Sequence, residues 1–307
     1  MGEYYKVRGK DLYTEILGED LDTVLLFIHG GPGGVGIEDF MQYQGKRLSK
    51  KFKVIALDQR GVWRSEAILG NEEISLEDII EDFEELRKKL NISKWSLLSH
   101  SFGGYLSVLY ANLYPDSIEY MIYESPSFDF SLSERSMLKA AANELVKLGK
   151  NEVAETYFAA LREVTDYKEI NKLLINVSND LGKNCSDYMW FGDDKQIIDK
   201  IAMNSYDAMN LWNKSTKTRL KLLKNWRVYN NVFAELSKVN KPSLLLKGKY
   251  DPITCEVQIK EFMNRVSDKK VITFDYSGHW IRIEEPDKYC DVITNYINEQ
   301  LVNYLYS

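Results

Sequence analysis

Cysteine and histidine are scarce in this chain of 307 residues, with three of each. Cys185, Cys255 and Cys290 are far apart, odd in number and without metal-ligand spacing, so neither a disulfide framework nor a zinc site is expected. No stretch approaches the roughly 20 apolar residues of a membrane span. The first residues, Met1-Gly2-Glu3-Tyr4-Tyr5-Lys6, lack an apolar signal core, and Lys6 stands where a myristoylation pattern has Ser or Thr. Basic residues form no stripe interleaved with aromatics and the formal net charge is −6, which argues against nucleic acid as a partner. A cytoplasmic location away from membranes is the expectation. Hydrophobic residues make up 44% of the chain, enough to bury a core without covalent staples.

What is present is an alternation of apolar runs and helical patterns. Residues 3–18 read as two strands around Gly9-Lys10-Asp11. Strands follow over 24–28 and 52–57, then a helix over 75–91 with Ser75 as N-cap and Ile79, Ile80, Phe83, Leu86 and Leu90 at helical spacing. Further strands are expected at 95–99, 120–123, 243–248 and 271–275, with helices at 105–113, 256–266 and 286–305. Strand–helix alternation with strands apolar on both faces predicts an α/β fold: a mostly parallel central sheet flanked by helices, with ligands at the carboxyl ends of its strands. Between 127 and 236 the pattern is helical only, with expected helices over 133–148, 151–164, 167–181, 194–211 and 215–235. The chain thus divides into a core, 1–126 and 237–307, and an inserted helical cap, 127–236.

The run Trp95-Ser96-Leu97-Leu98-Ser99-His100-Ser101-Phe102-Gly103-Gly104 places a serine between a buried strand and a helix, the setting of a nucleophile elbow. Small residues two positions either side let strand and helix approach; Ser99 stands where glycine is usual. A serine hydroxyl needs a general base, and the base an orienting carboxylate. Of the three histidines, His100 points away from its neighbour Ser101 and His29 borders a glycine turn. His279, after the last strand, is the candidate base. Asp251, after the strand at 243–248, is the candidate acid, with Glu124 as the alternative. The order Ser101, Asp251, His279 is that of α/β-hydrolases. The N–H groups of Phe102, at a helix start, and Gly31, in the turn His29-Gly30-Gly31-Pro32-Gly33, are candidate oxyanion donors. A glycine turn after a strand also suits phosphate, but this one lacks the Lys-Ser/Thr of a P-loop. Asp58-Gln59-Arg60-Gly61 reads as structural, its arginine paired with a carboxylate that fixes the loop.

With these residues on one sheet edge, the chain resembles the α/β-hydrolase superfamily over essentially its full length. Within it, His29-Gly30-Gly31-Pro32-Gly33 and Asp58-Gln59-Arg60-Gly61 are similar to segments of the proline iminopeptidase family. The resemblance implies an α/β-hydrolase core with a cap inserted after the sixth strand, and a cofactor-free, metal-free triad of Ser101, Asp251 and His279. It implies release of N-terminal residues, often proline, from short peptides. It also implies acidic cap residues for the free amino group, for which Glu152, Glu155, Asp187, Asp193, Asp194 and Asp207 are candidates, with Gly30 and Trp190 as further substrate contacts. The chain departs from the family at Ser99 and Phe102, where Gly and Trp are usual. It departs also at Trp63, which takes the second glycine position of Asp-Gln-Arg-Gly-x-Gly-x-Ser while Ser65 is kept. Other functions use the same residues: a carboxylesterase, lactonase or carbon–carbon bond hydrolase acting on a small molecule. A non-catalytic hydrolase-like binding protein would have no need of a complete triad.

Overall fold

A computed structural model describes residues 2–193, 195, 197–203, 207–224 and 226–305. Eight strands form one sheet: β1 (Glu3–Val7), β2 (Lys10–Leu17), β3 (Val24–Ile28), β4 (Lys53–Leu57), β5 (Trp95–His100), β6 (Ile118–Glu124), β7 (Ser243–Gly248) and β8 (Lys269–Phe274). Their order is β1-β2-β4-β3-β5-β6-β7-β8. The β1/β2 and β2/β4 pairs are antiparallel and the rest parallel. Every residue of β3 and β5 is buried, as expected of central parallel strands covered on both faces. Because β3 and β5 to β8 run in parallel, the segments that follow them emerge at the same edge. That edge carries His29, Ser101, Glu124, Asp251 and His279.

Helix α1 (Leu76–Lys89) opens with the expected cap at Ser75, completed as a capping box with Asp78. Helix α2 (Phe102–Leu113) is buried along most of its length behind the elbow. Between β6 and β7 the described residues are helical and contain no strand: α3 (Phe130–Lys147), α4 (Asn151–Glu163), α5 (Tyr167–Leu181), α6 (Ile197–Met203) and α7 (Ala208–Leu223), followed by short turns at Trp226–Tyr229 and Phe233–Leu236. Helices α8 (Glu256–Arg265) and α9 (Pro286–Leu305) complete the core. Two expected cap helices are redrawn: α6 and α7 replace the runs over 194–211 and 215–235. The buried stripe of α7 is Ala208, Ser215, Thr218 and Leu222, so half of it is hydroxylic and escapes a count of apolar residues.

The Asp58-Gln59-Arg60-Gly61 segment is anchored from both ends. Arg60 Nε donates to Asp82 Oδ2 at 2.5 Å, and its Nη2 reaches the other oxygen. Asp58 accepts from Ile37 N at 2.9 Å and from Arg64 Nε at 2.7 Å. Ser65, retained from the family pattern, donates to Asp58 O at 2.5 Å and accepts from Tyr13 N at 2.9 Å. No described helix is long and apolar enough to cross a membrane.

Gly103 lets α2 lie against β3. A Cβ there would stand 2.3 Å from Ile28 O and 2.9 Å from His29 O. Gly103→Ala is therefore expected to destabilise the fold by about 1–3 kcal/mol. Gly70→Ala, where nothing lies within 4 Å, is expected to leave stability unchanged or slightly raised. Urea unfolding midpoints of the two variants check this.

Candidate active site

The elbow forms because β5 stops at His100 and α2 starts at Phe102, leaving one residue to turn the chain. Ser101 takes φ 54°, ψ −123°, a left-handed conformation uncommon for a residue with a Cβ. Its backbone is held on both sides: its N–H donates to Glu124 O at 3.0 Å, and its carbonyl accepts from Gly104 N at 2.9 Å and Ser127 N at 3.0 Å. Ser99 fits where glycine is usual because its hydroxyl is bonded. It donates to Ile122 O at 3.3 Å and lies 3.1 Å from Ser107 Oγ on the facing helix.

The His29-Gly34 turn lies directly beside the elbow. A Cβ on Gly30 would meet Ser101 Cβ at 2.8 Å, and Gly31 has φ +124°. Gly30, Gly31 and Ser101 line one cavity of about 250 Å³, together with His279. The N–H of Phe102 is the first of α2, one of the unpaired donors of a helix start. Gly31 and Phe102 thus flank Ser101 from two elements. His29 has another task. Its Nε2 accepts from Gln59 N at 3.0 Å, so its Nδ1 carries the proton and donates to Gly30 O at 2.8 Å. Burial lowers its pKa, keeping the ring neutral.

His279 Nδ1 is 3.1 Å from Asp251 Oδ1, both side chains almost fully buried. Asp251 also accepts from Ile253 N at 2.8 Å and Thr254 N at 3.3 Å. Burial pushes its carboxyl up, but the His279 ring and these donors outweigh it and hold the group below the usual carboxylate range. Asp251 orients Nδ1 and leaves Nε2 as the other ring nitrogen. Ser101 and His279 share the cavity, and no hydrogen bond joins the Ser101 hydroxyl to the ring. Catalytic hydrogen bonds are often loose before substrate binds. Glu124, the alternative acid, is engaged elsewhere, with Arg282 at 2.7 Å and Tyr289 at 2.9 Å.

The cap secures the His279 loop. His279 N donates to Met189 O at 2.8 Å. Glu284 accepts from Phe191 N, Gly192 N and Gly278 N at 2.7, 3.1 and 2.7 Å. Trp190 stacks on Trp280 at 4.4 Å between ring centroids; it backs the cavity-lining Trp280 and does not itself line the cavity.

The expected cap carboxylates among the described residues are not brought to the cavity. Glu152 and Glu155 are exposed on α4, and Glu155 pairs with Arg162 at 2.8 Å. These positions lie on the solvent face of an amphipathic helix. Asp187 accepts from Asn184 at 2.7 Å and Asp207 from Asn210 at 2.6 Å, and neither lines the cavity; nor does Asp193. Asp194 lies outside the described residues.

A different carboxylate was missed. Glu134 of α3 is 3% exposed, accepts from Asn171 Nδ2 at 2.6 Å, and has no partner for Oε2. It sits one helical turn beyond Phe130, whose ring packs on Phe102 at 5.9 Å. Arg219 acts on it electrostatically and itself abuts the glycine turn, since a Cβ on Gly33 would meet Arg219 Cβ at 3.4 Å. Burial pushes Glu134 up to about 7, against the pull of Asn171 and Arg219. The signal was in the sequence: Phe130, Glu134, Leu138 and Ala141 share one buried helical stripe, and a glutamate in such a stripe is out of place.

A carboxyl whose pKa is raised in the folded state binds more protons folded than unfolded, so its contribution to stability falls as pH rises from about 4.3 in the unfolded chain to about 7 in the folded one. Glu134→Gln removes that loss. The variant is expected to be more stable than the parent at pH 8, with the difference shrinking toward pH 4. Urea unfolding of both proteins across this range checks it.

Comparison with known proteins agrees with this fold. The alpha/beta hydrolase fold family matches residues 23–286, and the chain belongs to it. The proline iminopeptidase of Saccharolobus solfataricus is 25% identical over 96% of this chain and 92% of its own length. That of Heyndrickxia coagulans is 26% identical over 90% and 91%. Among solved structures, a proline iminopeptidase-related protein from Thermus thermophilus superposes with TM-score 0.76 at 20% identity, over 97% of each chain. A meta-cleavage product hydrolase from Pseudomonas fluorescens superposes with TM-score 0.70 at 17% identity, over 98% of each.

Proposed function

We propose that this alpha/beta hydrolase, an enzyme of the serine hydrolase type, is an aminopeptidase that releases N-terminal residues, proline among them, from short peptides by acyl transfer at Ser101. The observation that carries the reading is the gathering at one cavity of Ser101, on a left-handed elbow, and His279, whose Nδ1 is taken by buried Asp251. His279 Nε2 takes the Ser101 proton as Oγ attacks the substrate carbonyl carbon. Asp251 keeps the proton on Nδ1 and stabilises the imidazolium. The N–H groups of Gly31 and Phe102 receive the oxyanion. His279 then gives its proton to the leaving amine, and water hydrolyses the acyl-enzyme by the same route. For the amine specificity we point to Glu134, a buried cap carboxylate with one oxygen unpaired, which stands one helical turn from Phe130 beside the elbow and behind the residues that line the cavity, together with the full-length likeness to the iminopeptidases.

A second reading has its own support. Apart from His29, His100 and the paired Asp39 and Arg282, the remaining cavity wall is apolar, with Val35, Met189, Ile198, Trp212, Ile253 and Trp280, which suits a small-molecule ester, lactone or carbon–carbon bond hydrolase using the same triad.

The deciding experiment compares proline and alanine 4-nitroanilides, with free and blocked amino termini, against 4-nitrophenyl acetate and butyrate. The aminopeptidase reading expects cleavage that requires the free amine, and a KM for those substrates raised about tenfold or more by Glu134→Gln, with ester turnover unaffected. Ester cleavage alone moves the function to the second reading. Ser101→Ala is expected to abolish fluorophosphonate labelling and lower kcat by about four or more orders of magnitude; full activity in that variant would overturn the acyl-transfer mechanism.

A further inference from the structure

Trp63 occupies a backbone position built for glycine. Its φ is +45°, and a bulky residue at positive φ is a backbone outlier. Such strain persists only where the surroundings hold it. Here they do. The side chain is 1% exposed and packs with Val35, Val62 and Ala202, with Ile198 and Leu211 at the margin. The backbone N–H donates to Ser215 Oγ of α7 at 2.9 Å. On either side Thr218 Oγ1 donates to Gly61 O at 2.8 Å and Lys214 Nζ to Ser65 O at 2.7 Å. The loop that carries Trp63 is therefore laced to α7, and the indole rises from it against α6.

The packing partners give this ring a place in the active site. Val35 and Ile198 both touch the Trp63 cluster and both line the cavity of Ser101 and His279. Ile198 and Ala202 are four residues apart on α6, one turn of one face, and that face packs into the Trp63 cluster. Trp63 thus stands directly behind an apolar wall of the cavity without lining it.

We propose that Trp63 is the positioning residue that sets the depth of the apolar end of the cavity, and with it the length of acyl or alkyl group that reaches Ser101. The large side chain holds Val35 and α6 forward. Glycine at this position, as in the related motif, would leave that wall free to retreat. The inference rests on Ser101 being the nucleophile but not on which substrate is natural.

The test uses probes that react with the serine itself. Second-order labelling rates are measured for an ethyl and a dodecyl alkylphosphonofluoridate on the parent enzyme, Trp63→Ala, Trp63→Gly, Trp63→Phe and the double variant Trp63→Ala with Ala202→Phe. The long-to-short rate ratio is expected to rise about tenfold or more in Trp63→Ala, and to rise equally in Trp63→Gly, although glycine relieves the backbone strain and alanine does not. Trp63→Phe is expected to stay near the parent, and refilling the space from α6 with Ala202→Phe to bring the ratio back. The ethyl probe rate should change little throughout. A ratio that stays at the parent value in Trp63→Ala or Trp63→Gly, with ethyl labelling intact, overturns the proposal, as does a ratio that tracks strain and differs between the two. Should neither truncation fold, a Trp63→Leu ratio displaced toward the long probe supports it and a Trp63→Leu ratio at the parent value overturns it. A parent enzyme that no probe labels fails the nucleophile assignment instead.

Discussion

Arg282 lies buried between Glu124 and Asp39, and the arrangement of the sheet edge depends on it. Glu124 ends β6, Asp39 belongs to the helical turn that follows the glycine loop, and Arg282 comes three residues after His279. Gln44 accepts no part of the charge but donates to Arg282 O at 2.8 Å and Pro286 O at 3.0 Å, tying the same turn to the start of α9. Taking these charges from water is costly, and removing one partner of such a pair leaves the other uncompensated. The charges are therefore interlocked: burial pushes Glu124 up, while Arg282 and the Tyr289 hydroxyl pull it down. The guanidinium also helps keep the neighbouring His100 well below its ordinary value, second to burial itself. His100 stays neutral beside His279, 4.5 Å away ring to ring, so the site has one histidine free to cycle its proton.

That network shows why part of the site was legible in the sequence and part was not. The strands were legible because buried parallel strands are continuous apolar runs, and Ser101 because a strand, a serine at its end and two glycines can fold in few ways. His279 followed from scarcity, with three histidines and two otherwise placed. Arg282 gave no such signal: its partners are 158 and 243 positions away, and only the fold brings them together. The cap carboxylates differ for a related reason. Glu152 and Glu155 lie on a helix whose polar face meets solvent, whereas the desolvated carboxyl, Glu134, stands in the apolar stripe of α3. Departures from family patterns were informative in a different way. Ser99 is accommodated by Ser107, a compensation eight residues downstream on the packing helix, and Trp63 by cap residues more than a hundred positions away.

The cap is attached to the core on two sides. On one side Glu284 grips the 191–192 backbone and Met189 O receives His279 N, so the cap fixes the loop that carries His279. On the other, Lys214, Ser215, Thr218 and Lys221 of α7 bond to the 61–72 loop, three of them to its carbonyls and Ser215 to the Trp63 N–H. These four lie on one face of α7 and bond mainly to backbone, so the attachment asks little of the loop's own side chains. That leaves Trp63 free to serve as a spacer rather than a tether. Between the two attachments lie the apolar part of the cavity wall and, buried in α3, Glu134 with one oxygen unpaired. Ser101, Asp251 and His279 are positioned by the sheet edge and part of the cavity wall by the inserted helices, so the two can vary independently, and a shared fold can host different activities for that reason.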